Sequence, residues 1–314
     1  MTTCLVVGGG FIGSHVAEVL ALRGHAVSVY SRSFNPGMLA TQHSGPGTVD
    51  LIEGAVPPGK GLQELIEAAE IVFYLAGEST PATAKSDPGG SITGLVVPAV
   101  AVFDLMRPTS TRRVVVASSG GTVYGVADHF PTPESHPTRP ISVHGQSSLT
   151  VERYAGFFAQ QYGFEPIILR YANPYGPGQL ARRGQGVIAA WCDALAQHRE
   201  VVVYGDLTTR RDFVYVVDAA EATIAAAFEA PRPGIYNVGS GTSTSLDNVL
   251  AIIETVAGRT ARIRRVGGRG IDVPATGLDC LLLRQATGWS PQVGVTDGVR
   301  ATWDWTRRAV ESAG

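Results

Sequence analysis

The first thirty residues constrain the fold more than any other stretch. Leu5-Val6-Val7 is a short apolar run of the kind a buried strand needs. It leads straight into Gly8-Gly9-Gly10-Phe11-Ile12-Gly13-Ser14-His15 and a helical periodicity through Leu22, which Gly24 stops. Ala26 to Tyr30 then reads as a second strand. A strand, a glycine turn, a helix and a strand open a parallel, doubly wound sheet. The glycines stand where an anion would require them. Gly8 and Gly10 let backbone approach a pyrophosphate, Gly13 lets the helix lie on the strand, and the helix N-terminus faces the negative charge. The spacing thus predicts a dinucleotide held by Gly8, Gly10, Phe11, Ile12 and Gly13. A carboxylate at the end of the second strand would hold the adenosine ribose, but Tyr30 is followed by Ser31-Arg32-Ser33. A serine and an arginine there suit a 2′-phosphate, so the expected cofactor is NAD or NADP.

Alternation continues along the chain. Ile71–Leu75, Arg113–Ala117 and Pro166–Leu169 read as strands, and helices are expected over about 91–106 and 147–161. After Arg170, Pro174, Gly176, Pro177, Gly178, Gly184 and Gly186 mark a loop-rich segment suited to substrate-specific structure. The fold class expected is α/β: a Rossmann-type doubly wound parallel sheet over 1–172 plus about 212–240, with a smaller C-terminal substrate-binding region over 173–211 plus 241–314.

A formal charge of -2 and the absence of Lys/Arg runs argue against nucleic acid as a partner. Three scattered cysteines, Cys4, Cys192 and Cys280, have no metal-ligand spacing. His129 and His136 fall in a proline-rich loop and read as exposed, so no metal is expected. No apolar run approaches the roughly 18 residues of a membrane span, and no leader pattern is evident, so a cytoplasmic protein without a membrane partner is expected.

Further landmarks are Leu75-Ala76-Gly77, Ser118 to Gly125, Leu169 to Gln179, Arg211 to Asp218, Arg269 to Pro274 and Thr287 to Pro291. In this order they resemble the extended short-chain dehydrogenase/reductases, and among them the nucleotide-sugar epimerases and dehydratases. The resemblance implies an enzyme using bound NAD(P) on a nucleoside diphosphate sugar, with oxidation at a sugar carbon, rearrangement and return of the hydride. It implies cofactor contacts at Leu75, Ala76 and Gly77 besides the first turn and Ser31-Arg32. It implies substrate contacts at Asn173, Gln179, Arg211 and Arg269, the arginines suited to a diphosphate by their paired donors. It also implies a homodimer through the helices near 91–106 and 147–161.

The departures from that family bear on mechanism. Val7 stands where the first glycine of its usual turn would align, Ala55 where an acidic residue recognises adenine, and Gly94 near an expected Asn. The family's catalytic Ser/Thr, Tyr and Lys fall on Gly120, His144 and Ser148. Tyrosine needs a nearby cation to act as a base near neutrality, whereas histidine titrates at about 6.5 unaided and a lysine beside it would only oppose protonation. Replacing Tyr and Lys together is therefore chemically coherent. His144 is the expected general acid/base, with Ser119 or Thr122 bonding the substrate and Ser148 in the lysine's place. Glu78 is a reserve candidate, and His15 reads as a packing residue beside the cofactor turn. The alternative is a non-redox or inactive homologue that retains the sugar-nucleotide site. Neither the sugar nor the base can be read from these residues.

Overall fold

The computed structural model describes residues 1–34, 45–56, 61–77, 81–181, 186–268, 270 and 273–312. The chain begins β1 (Thr3–Val7), α1 (Phe11–Leu22), β2 (Ala26–Ser31), β3 (Thr48–Glu53), α2 (Leu62–Ala68), β4 (Ile71–Tyr74), α3 (Pro81–Ser86), α4 (Pro88–Ser91) and α5 (Val97–Met106). It continues β5 (Arg113–Ser119), α6 (Val143–Tyr162), β6 (Glu165–Tyr171), β7 (Asn173–Tyr175), α7 (Val187–Ala196), β8 (Val201–Tyr204), β9 (Arg210–Tyr215) and α8 (Val216–Glu229). It closes with β10 (Gly234–Val238), β11 (Ser243–Ser245), α9 (Leu246–Ala257), β12 (Ile263–Val266), α10 (Leu281–Thr287) and α11 (Val295–Glu311).

The main sheet runs β10-β6-β5-β4-β1-β2-β3, with every pairing parallel. Its strands are near-continuous apolar runs because helices cover both faces. One face packs under α1, α8 and α10, burying Val6, Val16, Phe73, Leu169 and Leu283 among others. The other packs under α2, α5 and α6 around Leu5, Tyr74, Phe103, Val116 and Phe158. β1 has β2 on one side and β4 on the other, so the strand order reverses there and a crevice opens beyond their carboxyl ends. The Rossmann-type expectation holds. β3, in the segment between β2 and α2, has no counterpart in the sequence reading.

The later part of the chain builds its own core of Ile188, Trp191, Val201, Val249, Ile253, Val299 and Trp303. Around it stand a three-stranded sheet, β11-β9-β7, and the parallel pair β12-β8. α10 and Trp289, expected with this region, instead pack on the main sheet's core.

One expectation is overturned. Pro88–Met106 forms a continuous 19-residue helical run, passing through a π-helical stretch at Ile92–Val96, with a mean hydropathy of 1.6. It is long and apolar enough to cross a membrane, although 44% of it is buried inside the protein. The run starts three residues before the expected helix, at Pro88, where Asp87 caps it by accepting the Gly90 amide at 2.8 Å. Its inner side covers the sheet through Val96, Ala99, Val102 and Phe103, and Ile92 and Val97 stay exposed.

Candidate active site

The crevice at the strand-order reversal is a cleft of about 400 Å³. The turn after β1 forms one wall. Gly8 has φ +113°, and a Cβ there would meet the Ala76 amide nitrogen at 2.6 Å. A Cβ on Gly13 would fall 1.9 Å from the Gly8 carbonyl oxygen, so α1 can start this close to β1 only with glycine. A Cβ on Gly10 would meet nothing within 4 Å. The backbone is thus pressed against β4's end on one side and leaves open space at the N-terminus of α1 on the other, which fits a diphosphate. Phe11, Ile12, Ser31, Arg32, Leu75, Ala76 and Gly77 line the same cleft as the glycines. The sequence-predicted cofactor set therefore comes together.

Thr93, Gly94 and Pro98 join this lining from the helical run. Gly178, Gln179 and Leu180 reach it from the far side, which places Gln179, expected on the substrate, at the dinucleotide cleft. His15 explains how that loop is held. Its Nε2 lies 3.0 Å from the Pro177 carbonyl oxygen, its ring meets Phe11 edge-on at 5.8 Å, and burial lowers its pKa.

The second site element is the turn after β5. The Thr122 and Val123 amides both donate to the Ser119 carbonyl, at 3.0 and 2.9 Å. α6 begins at Val143, four residues before the expected start, because Ser142 caps it by accepting the Gly145 amide at 3.1 Å. A Cβ on Gly145 would lie 2.7 Å from the Thr122 carbonyl oxygen, so glycine seats the first turn of α6 directly on the β5 turn. His144 lies in that first turn. Removal from solvent pushes its pKa down to about 4, so its imidazole is neutral near pH 7.

The other two altered positions are occupied in specific ways. A Cβ on Gly120 would meet the Leu278 side chain at 2.6 Å and the Arg170 carbonyl oxygen at 2.9 Å, so an apolar group stands where a hydroxyl would project. Ser148 donates to the His144 carbonyl at 3.0 Å, which commits its proton to the helix. Thr122's hydroxyl makes a long 3.4 Å contact to the Ser119 carbonyl.

Behind this turn lies a buried polar network absent from the sequence reading. Arg170 on β6 grips Glu152 on α6 through Nε and Nη2 at 3.0 and 2.7 Å, and Ser118 at the end of β5 donates to the same carboxylate. Arg170 also donates to the Tyr124 hydroxyl at 3.0 Å, and Tyr124 donates to the Asn237 side-chain oxygen at 2.7 Å. The Asn237 amide reaches Glu134 at 2.8 Å, and its side-chain nitrogen donates to the Thr132 and Asp279 carbonyls. Burial pushes Tyr124 up to about 12 despite Arg170, which excludes it as a neutral-pH base. The available sequence signal was the charge of Arg170 directly after the apolar run Pro166–Leu169.

On the substrate side, Asn173 donates to the Asp212 carbonyl at 3.1 Å and stands 3.8 Å from where a Gly121 Cβ would be. Arg211 donates to the Val273 and Arg210 carbonyls, each at 2.8 Å. It does not pair with Asp212. That carboxylate is fully buried and accepts from the Ser240 amide and hydroxyl and the Gly241 and Leu278 amides, although burial still raises its pKa. Asp212 therefore fixes Leu278 against Gly120. Arg269 and Glu78 lie outside the described residues. His136, expected exposed, is buried with its ring against Tyr124 and its Nδ1 2.8 Å from the Pro137 carbonyl. Among the described residues no group of three His, Cys, Asp or Glu could hold a metal ion.

Residues 4–239 match the NAD dependent epimerase/dehydratase family. A putative UDP-glucose 4-epimerase of Methanocaldococcus jannaschii is 29% identical over 317 residues, covering 96% of this chain and 98% of the relative. The crystal structure of Thermotoga maritima UDP-glucose 4-epimerase with UDP-glucose superposes with a TM-score of 0.90 at 28% identity, covering 98% of this chain and 99% of that one. The Thermus thermophilus UDP-glucose 4-epimerase in complex with NAD gives 0.88 at 29%, with the same coverage. A glycine turn built for a diphosphate at the sheet's switch point, a second turn beside it, and a match across most of the chain make this protein an enzyme of the NAD-dependent epimerase/dehydratase family.

Proposed function

We propose that the protein interconverts a hydroxyl and a keto group on a nucleoside diphosphate sugar, with His144 moving the proton that a tyrosine moves elsewhere in the family. The observation that carries this reading is the placement of His144. It lies half-buried in the first turn of α6, neutral near pH 7, next to Gly145, whose close approach to the Thr122 carbonyl seats that turn on the end of β5. A bound nicotinamide dinucleotide supplies the hydride acceptor and donor. His144 accepts the hydroxyl proton as the carbon is oxidised and returns it on reduction. With serine at 148, no lysine charge opposes protonation of the imidazole. Ser119 or Thr122 hydrogen-bonds the sugar, and Asn173, Arg211 and Arg269 take the nucleotide diphosphate. Leu278 gives the turn an apolar wall at Gly120, where the family's hydroxyl would stand.

Turnover of His144→Ala and His144→Phe with UDP-sugars tests this. A loss of about 100-fold or more with dinucleotide binding intact is expected. Unchanged turnover removes His144 from the chemistry, and a purified protein that neither carries nor binds NAD(P) favours the non-redox alternative.

The same reading includes a homodimer. Ile92 and Val97 on the long helical run, and Tyr154 and Phe157 on the neighbouring α6, expose 52%, 41%, 41% and 49% of their surface. Exposed large apolar groups on two adjacent helices support a helix-to-helix interface between copies.

A further inference from the structure

The described lining of the dinucleotide cleft contains no carboxylate and one cation, Arg32. The position is specific. A Cβ on Gly9 would lie 3.2 Å from Ser31 Cβ and 3.1 Å from the Phe34 ring, so the turn leaving β2 rests directly on the diphosphate turn. Ser31 to Phe34 therefore line the cleft directly beside the turn suited to a diphosphate. A ribose with both hydroxyls free donates protons, and a carboxylate is the group that accepts them. Here the position holds Ser31, whose hydroxyl donates to the Ser33 carbonyl at 2.8 Å.

The nearest acidic residue in register is Glu53, paired across the strands with Ser31. It is exposed and not part of the cleft lining. The chain after it packs on Tyr30 and lines the cleft without a carboxylate, through Gly54 and Val56: a Cβ on Gly54 would meet the Tyr30 hydroxyl at 2.1 Å, and that hydroxyl donates to the Ala55 carbonyl at 3.1 Å.

We infer that the adenosine end of this cleft is a 2′-phosphate site formed by Ser31, Arg32 and Ser33, so that the protein takes NADP(H) in preference to NAD(H). A 2′-phosphate brings negative charge and oxygens that only accept. The turn offers what such a group needs: the Arg32 guanidinium with its fork of donors, the Ser33 hydroxyl, backbone amides, and the Ser31 hydroxyl once it turns from the Ser33 carbonyl. The inference rests on the cleft being a dinucleotide site, and it departs from the NAD named for the family.

The test is direct titration of nucleotide-free protein with NADPH and with NADH, followed by energy transfer from tryptophan. Expected is an NADPH affinity tighter by roughly tenfold or more, as for a new charge-assisted contact. Arg32→Ala should bring NADPH to the level of NADH and leave NADH nearly unchanged, and Ser31→Asp should reverse the preference. Where nucleotide co-purifies, chromatography after denaturation should identify NADP(H). Equal affinities, tighter NADH, stoichiometric NAD released on denaturation, or an Arg32→Ala loss equal for both nucleotides overturns the 2′-phosphate site and leaves the dinucleotide reading standing. Binding of neither nucleotide overturns both.

Discussion

Protonation of His144 should lower both stability and turnover as pH falls, in different pH windows, and both can be measured. Its pKa is about 4 in the fold and returns to the ordinary 6.5 on unfolding, so the unfolded chain binds the proton first. The fold's stability is complete above pH 6.5 and declines as pH falls from 6.5 through 4, by at most about 3 kcal/mol from this group. Denaturant titrations at pH 7.5 and 5 should show that decline, and His144→Gln should reduce it without abolishing it, since His15 and His25 are also shifted down. In kcat/KM the acid limb should fall near pH 4 to 5; a limb at the unperturbed value would mean that His144 sits in water when substrate arrives. Gly120 makes a second point at this scale. Restoring the family's side chains as Gly120→Ser with His144→Tyr and Ser148→Lys should not restore the family's mechanism. The new Cβ meets Leu278 and the Arg170 carbonyl, costing about 1–3 kcal/mol, and a shortened Leu278 should recover part of that in thermal melts.

At the scale of elements, the buried ion pair between α6 and β6 ties α6 to the end of β5, where Ser118 donates to the same carboxylate. Glu152 and Arg170 expose 4% of each side chain. Removing either leaves a charge without its partner in the interior, a loss of about 3–5 kcal/mol. Glu152→Gln or Arg170→Met should lower the melting temperature strongly, and the double replacement should cost less than the sum of the two. Equal additivity would mean that the pair does not act as a unit. This network also marks where the sequence stopped being legible. β1, its glycine turn and α1 are local: spacing within thirty residues encodes them and the anion they hold. The helix start at Val143 was missed by four residues because its cap, Ser142, lies in a proline-rich approach. The tie from Tyr124 to Asn237 joins residues 113 apart, and no periodicity records such a contact. The Leu278 side chain over Gly120 is equally non-local. A glycine in the sequence showed that a hydroxyl was missing, but only the packing shows what fills its place.

For the whole molecule, the expected occupant of the exposed apolar face of Pro88–Met106 and α6 is a second copy of the chain and not a lipid surface. A membrane would require the helix to be freed from the sheet, yet Val96, Ala99, Val102 and Phe103 are buried in the main core, and leaving it would expose them to water before lipid could receive them. A second copy needs no such rearrangement, because the face is already outward. Its rim also carries Arg107 stacked over the Tyr162 ring at 4.7 Å, a polar edge suited to an interface that ends in solvent. Light scattering on the purified protein should give twice the chain mass. Val97→Glu with Phe157→Arg should give monomers whose circular dichroism is unchanged, since both side chains lie outside the core. A monomeric wild type removes the dimer, and flotation with anionic vesicles that Phe157→Arg abolishes would assign the face to a lipid surface instead.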